Sequence, residues 1–163
     1  MIAVSNTTPV LSLYKIGQLG LLQNLFDEII VPAAVYNEIA VYGIGKEGDD
    51  VFDSNDYIRV KEVENEMAVG MLRPHLDYGE AEAIVLAGEL EADVLLLDEK
   101  KARRVAQANA LSVIGTLGIL LAAKNRGLIP DIRTLLEALI VNGIWIDRLL
   151  YRAVLLEAGE LEV

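Results

Sequence analysis

Short apolar runs alternate along the chain with longer segments of helical period. Ile2-Ala-Val-Ser5, Glu28-Ile-Ile-Val31, Ile58-Arg-Val-Lys-Glu-Val63, Val94-Leu-Leu-Leu97 and Ser112-Val-Ile114 read as strands. The run 94–97 has no polar position, which fits a strand buried on both faces, as in a parallel sheet covered by helices. Residues 58–63 alternate apolar and polar, the pattern of an edge strand. Thr8 as a cap and Pro9 as first residue predict a helix that stops near Gly17, followed by a second apolar helical piece over 19–26. Pro32 opens a helix over 33–42 closed by Gly43, and the Gly- and Asp-rich residues 43–57 read as a loop. A short helix falls within 64–76. Further helices are predicted from Asp77 to the central strand, and over 99–109, 117–126, 131–142 and 147–158. Strand and helix in alternation predict an α/β fold: a three-layer α/β/α sandwich about a parallel sheet. It forms a single domain over 1–163, with added C-terminal helices at about 130–158.

Composition narrows the chemistry. The length of 163 residues suits one domain with a real core. The chain has no cysteine, so disulfides, thiolate zinc sites and a cysteine nucleophile are excluded, and a reducing, cytoplasmic location is expected. His75, after Pro74, is the only histidine, which excludes a His-rich zinc site. The opening Met1-Ile-Ala-Val-Ser5 has no signal-peptide pattern, and no apolar run reaches the roughly 18–20 residues of a membrane span. No membrane partner is therefore expected. The net charge is −11, which argues against a general basic grip on nucleic acid. It is unevenly spread: residues 1–98 hold 5 Lys/Arg against 18 Asp/Glu, and residues 99–163 hold 9 against 7. An acidic metal site and a solvated acidic surface both account for the first half.

In open parallel sheets, ligands bind beyond the carboxyl ends of the strands. Asn6 follows the first strand, Asp98 the central one and Thr116 the last, while Glu80 begins the helix that feeds the central strand. Glu38 lies in the body of the second long helix, amid Val35, Val41 and Tyr42. Each has a plainer structural reading. Asp77 and Glu80 match a capping box, and a carboxylate in a first helical turn gains from the helix dipole. Asp98 and Thr116 suit helix caps, Asn6 suits a turn, and Glu38 suits the exposed border of an apolar stripe. Together, three carboxylates and two neutral oxygens suit a hard cation. Mg²⁺ and Mn²⁺ take oxygen ligands, and such ions polarise a phosphate and activate water. No Gly-rich phosphate loop is present.

Five segments carry a resemblance: Ile2-Ala-Val-Ser-Asn-Thr-Thr-Pro-Val-Leu11, Ile30-Val-Pro-Ala-Ala-Val-Tyr-Asn-Glu38, Asp77-Tyr-Gly-Glu-Ala-Glu-Ala-Ile84, Leu95-Leu-Leu-Asp-Glu-Lys-Lys-Ala-Arg-Arg104 and Gly115-Thr-Leu-Gly118. In order and spacing they resemble the PIN-domain family of metal-dependent ribonucleases, in particular its small prokaryotic branch. The resemblance implies a five-stranded parallel sheet with acidic residues converging at its carboxyl edge. Position by position, the family's first-strand Asp falls on Asn6, its helix Glu on Glu38, its third acidic residue on Glu80 and its strand-end Asp on Asp98. Thr116 occupies the neighbouring polar position.

The reading that follows is a Mg²⁺- or Mn²⁺-dependent endoribonuclease. Glu38, Glu80 and Asp98 hold the metal, Asn6 and Thr116 orient it or its water, and Lys100, Lys101, Arg103 and Arg104 guide RNA. Those four cations also fit the solvated face of a helix. The resemblance further implies a homodimer and, as for many relatives that are toxins, an antitoxin protein as partner. Asn6 is the departure, because the neutral side chain brings one charge fewer than Asp and weakens a site that relies on charge count. It favours the alternative reading, a catalytically attenuated PIN-fold binding or regulatory module. A receiver domain or haloacid-type phosphatase needs an acid after the first strand, where this chain has Ser5-Asn-Thr-Thr8.

Overall fold

Residues 1–40, 51, 52 and 55–161 are described by the computed structural model. Five strands pair in parallel: β1 Ile2–Ser5, β2 Glu28–Pro32, β3 Ile58–Lys61, β4 Val94–Leu96 and β5 Val113–Ile114. Their order is β3-β2-β1-β4-β5. The helices are α1 Thr7–Lys15, α2 Gly20–Leu25, α3 Ala33–Ala40, α4 Glu66–Leu72, α5 Tyr78–Glu89, α6 Lys100–Ala108, α7 Thr116–Asn125, α8 Arg133–Val141 and α9 Arg148–Glu157.

Side chains on a strand point alternately to opposite faces, and the strands feed two cores accordingly. Ala3, Ile29, Val31 and Leu96 pack on one side with Val10, Leu13, Leu120, Leu136 and Leu155 of α1, α7, α8 and α9. Val4, Ile30, Leu95 and Leu97 pack on the other with Val69, Ile84 and Ala102 of α4, α5 and α6. This is the three-layer architecture that the apolar run of β4 foretells. Leu95, Leu96 and Leu97 are fully buried; truncating any of them to alanine is worth about 2–5 kcal/mol in lost transfer energy and cavity. As expected, β3 lies at an edge, where Arg59 and Lys61 are exposed and charge discourages further pairing.

The topology also places the site. From β1 the chain steps outward to β2 and β3, then returns to the other side of β1 for β4 and β5. The direction of winding reverses between β1 and β4, and the crevice at their carboxyl ends is where such sheets bind ligands. Register aligns Ser5 with Leu96, and the Asn6 N–H donates to Leu96 O at 3.0 Å.

Several boundaries differ from the sequence expectation. Thr8 does not cap α1: the helix begins at Thr7 with Asn6 at the cap position. Proline is tolerated anywhere in a first turn, whose N–H groups have no helical partner, so Pro9 does not fix the start. Thr116 is the first residue of α7 and Gly115 its cap. Glu99 caps α6 through the Ala102 N–H at 2.8 Å, which leaves Asp98 free of that task. The expected end of the third helix at Gly43 and most of the 43–57 loop lie outside the described residues, as do Val41 and Tyr42 beside Glu38.

Candidate active site

Asn6 and Glu38 meet at the end of β1. Asn6 sits at the cap position of α1, yet its side chain makes no cap hydrogen bond. Its Oδ1 is buried and has no hydrogen-bond partner, a costly state for an amide oxygen unless something else binds it. Glu38 reaches the same place from the second turn of α3, and the Thr7 hydroxyl donates to its Oε2. Across from both lies Gly79, in the first turn of α5. A Cβ on Gly79 would stand 2.6 Å from Glu38 Oε1 and 3.3 Å from Asn6 Oδ1. Only glycine lets the positive end of α5 come so close to the carboxylate.

Asp98 forms the second half of the site. It stands just past β4 and turns toward the start of α7. The Thr116 N–H donates to Oδ1 and the Thr116 hydroxyl to Oδ2, both at 2.7 Å. Two hydrogen bonds to one carboxylate fix its orientation while leaving lone pairs on each oxygen. Gly115 again has no room for a side chain. Its Cβ would lie 2.8 Å from Asp98 Oδ1 and 2.8 Å from Arg103 Nη1.

Glu80 forms the capping box that its spacing from Asp77 announces. Asp77 Oδ1 accepts from the Glu80 N–H at 2.8 Å, and Glu80 Oε1 accepts from the Asp77 N–H at 3.1 Å, completing the capping box. Burial pushes the Glu80 carboxyl above its ordinary value; the Asp77 N–H opposes this, and the charges of Asp77 and Glu99 add to it. The three carboxylates are thus not drawn into one cluster. Among the described residues, no group of three or more His, Asp or Glu is placed to hold a metal ion. The cap takes an oxygen of Glu80, and Thr116 turns Asp98 toward α7. The arrangement instead brings together two pairs, Asn6 with Glu38 and Asp98 with Thr116. Asn6 and Asp98 follow the neighbouring strands β1 and β4, about 4.8 Å apart, while Glu38 and Thr116 reach them from α3 and α7.

The cations of α6 also separate. Lys100, Arg103 and Arg104 line a cleft of about 600 Å³ that begins at Asp98 and runs between α6, α7 and α9, and Lys101 does not line it. Arg103 is half-buried, not part of an outer solvated face as its helical position suggests, because the bare Gly115 admits its guanidinium beside Asp98. Lys100, Lys101 and Arg104 are exposed, as expected.

Sequence reasoning missed four contributors. Thr7 anchors Glu38 from a position 31 residues away. Gly79 and Gly115 provide the space. Glu82, buried in α5, accepts from the Ala34 N–H at 2.8 Å and so holds the first turn of the helix that carries Glu38. The one available signal for Glu82 is a carboxylate between Ala81 and Ala83 on a helix otherwise rich in small apolar residues.

The sequence profile of the PIN domain matches residues 2–160. The chain belongs to the PIN-domain family. No curated protein matches it. The PIN fold is nuclease-like, and its members in general use divalent metals and act on RNA. In this PIN domain the available donors are all oxygens, which suits a hard cation and not zinc. The unpartnered Asn6 Oδ1, aimed with Glu38 Oε1 at one gap, fits an oxygen-seeking cation. Mg²⁺ keeps several waters and needs only one or two protein carboxylates, so the donors fit without a three-carboxylate cluster. Among the described residues, no helix of this PIN domain is long and apolar enough to cross a membrane.

Proposed function

We propose that this PIN domain is a Mg²⁺- or Mn²⁺-dependent endoribonuclease that hydrolyses RNA phosphodiesters. The observation that carries the reading is the convergence of the orphaned Asn6 Oδ1 and the Glu38 carboxylate on the bare face of Gly79. Glu38 and Asn6 would hold the ion from one side and Asp98 from the next strand. When bound, the ion supplies charge that draws a phosphate and makes water a better nucleophile. Thr7 and Thr116 aim the two carboxylates by hydrogen bonds to one oxygen of Glu38 and both of Asp98. Glu80, with Oε1 taken by the cap, supports the start of the helix that presents Gly79 to Glu38 and Asn6. Lys100, Arg103 and Arg104 balance the charge of an incoming strand.

The deciding experiment is cleavage of a mixed pool of structured RNAs in Mn²⁺, in Mg²⁺ and in EDTA, with Asp98→Ala alongside. Cleavage that requires metal and vanishes in the variant is the expected result. Cleavage that survives Asp98→Ala refutes the assignment. Absence of both cleavage and Mn²⁺ binding establishes the second reading, an attenuated PIN-fold module. That reading is favoured by one observation, the neutral side chain at position 6. A homodimer and control by an antitoxin are part of the proposal, and the exposed apolar side chains of Val141, Trp145 and Leu149 offer surface for a partner. Light scattering of the purified chain tests the dimer.

A further inference from the structure

A separate groove lies toward the far end of α5, about 14 Å along the helix axis from Gly79 at 1.5 Å per residue. Ala68, Met71 and Leu72 of α4 form one wall, Ile84 and Val85 of α5 the other, and Leu111 after α6 closes it. Its volume is about 550 Å³. The groove is preformed, because Glu89 accepts from the Asn65 N–H at 2.7 Å and from the Glu64 N–H at 3.1 Å, which ties the start of α4 to the end of α5.

Two features of the groove have no use within the folded chain. Gly88 lines it from inside α5, where glycine costs helix stability. A Cβ there would meet nothing within 4 Å, so close packing does not require this glycine as it requires Gly79 and Gly115. Met71 on the rim is 72% exposed, and Met67, one turn earlier on the same helix, is 78% exposed. Flexible methionines on an open apolar surface suit a partner that packs against them.

The charge around the groove names the partner's chemistry. Glu62, Glu64, Glu66, Glu89 and Glu91 are all exposed on the segments that bound it. Among the described residues, none of the ion pairs involves them. Such a rim repels phosphate polymers and anionic lipid surfaces. It complements a helix with an apolar face and basic flanks, and amphipathic helices bind by laying that face into an apolar groove.

We propose that the groove between α4 and α5 docks a basic amphipathic helix of a partner protein: its apolar side chains enter over Gly88 between Met71 and Val85, and its lysines and arginines meet the glutamate rim. The groove shares no residue with the carboxyl-edge site, so the docking stands apart from the ribonuclease reading.

The test is fluorescence polarisation with a labelled peptide of about 14 residues, long enough to hold a helix. It carries leucine at i, i+3, i+4 and i+7, with lysine and alanine elsewhere. One control peptide has the leucines scrambled off a single face, and another has glutamate in place of lysine. Each control is expected to bind at least about tenfold more weakly. Gly88→Leu puts a side chain into the groove and is expected to weaken binding about tenfold or more, with an unfolding midpoint at or above wild type. Gly70→Leu is the matched change on α4 outside the groove, where a Cβ also meets nothing within 4 Å, and is expected to alter Kd less than about twofold. The proposal is overturned if the basic peptide does not bind below about 1 mM, if the glutamate peptide binds as well, or if Gly88→Leu binds like wild type or like Gly70→Leu. A wild-type dimer in light scattering that Gly88→Leu turns into a monomer puts a second copy in the groove and overturns it too. Groove-dependent binding by a chain that cleaves no RNA supports the docking and counts only against the ribonuclease reading.

Discussion

Gly79→Ala separates the stability of the fold from the geometry of the site. Elsewhere in a helix this substitution stabilises, by about 1 kcal/mol of helix propensity together with a reduced entropy of the unfolded chain. Here the new methyl carbon would lie 2.6 Å from Glu38 Oε1 and 3.2 Å from its Cδ. To regain ordinary contact near 3.4 Å, the Glu38 oxygen must retreat by about 0.8 Å. The far end of a glutamate can move that distance, so the fold survives. The site does not: productive constellations hold within about 0.5 Å, and a misplacement of about 1 Å costs on the order of 100-fold. The shift also pulls Glu38 from Thr7 and crowds Asn6 Oδ1. Thermal denaturation, Mn²⁺ titration calorimetry and cleavage rate are measured on the same preparation. The expected outcome is a midpoint equal to or above wild type, with metal affinity and rate down by about 10- to 100-fold. Retention of both within twofold would falsify the claim that Glu38 is held for metal at this gap. A loss of activity that tracks a loss of stability would show ordinary overpacking instead.

Three further outcomes are expected. Thr116→Val keeps the N–H bond to Asp98 but removes the hydroxyl bond, which costs about 1–2 kcal/mol of stability; cleavage falls, Thr116→Ser restores it, and denaturant melts of the three forms check the order. Glu80 has a raised carboxyl pKa in the folded state, so its contribution to stability is fully present below the ordinary glutamate range and is lost as pH rises through the folded value; Glu80→Gln should therefore gain on wild type as pH climbs from 4 toward 7 (about the carboxylate range), and a pH-independent difference between their melting points refutes burial as the cause. Asn6→Asp adds a charge where an oxygen lies unpartnered, so Mn²⁺ affinity rises by about tenfold and the metal-induced increase in midpoint exceeds that of wild type; an unchanged affinity by calorimetry means that position 6 does not face the ion.

Patterns local in sequence were legible before the structure. The apolar run of β4 announces a strand covered on both faces, and Asp77 with Glu80 announces a capping box, because each pattern depends only on neighbours within one turn or strand. The carboxyl-edge placement of Asn6, Asp98 and Thr116 follows from the parallel topology alone. What stayed hidden depends on pairs far apart in the chain. Glu80 reads equally as ligand and cap, and only the bonds it exchanges with Asp77 in the folded chain show the cap. The bond from Thr7 to Glu38 and that from the Ala34 N–H to Glu82 join residues brought together by the packing of α1, α3 and α5, which no periodicity encodes. Arg103 falls on the polar side of its helix by period. Its turn toward Asp98 requires the missing side chain of Gly115, a vacancy visible only in three dimensions.

The strand order has a consequence for how the site comes into being during synthesis. β1 is made first but is paired on both edges only when β4 has been made, some 90 residues later. Until then Asn6 and Glu38 can meet on a partial sheet of β1, β2 and β3, while Asp98 and its Thr116 clamp do not yet exist as structure. Any nascent chain that ends before Asp98 therefore displays half of the pocket and none of the basic cleft. The last strands to be laid down complete it. The ordering makes the assembled centre a property of the finished sheet, out of reach of the fragment still emerging beside its own messenger.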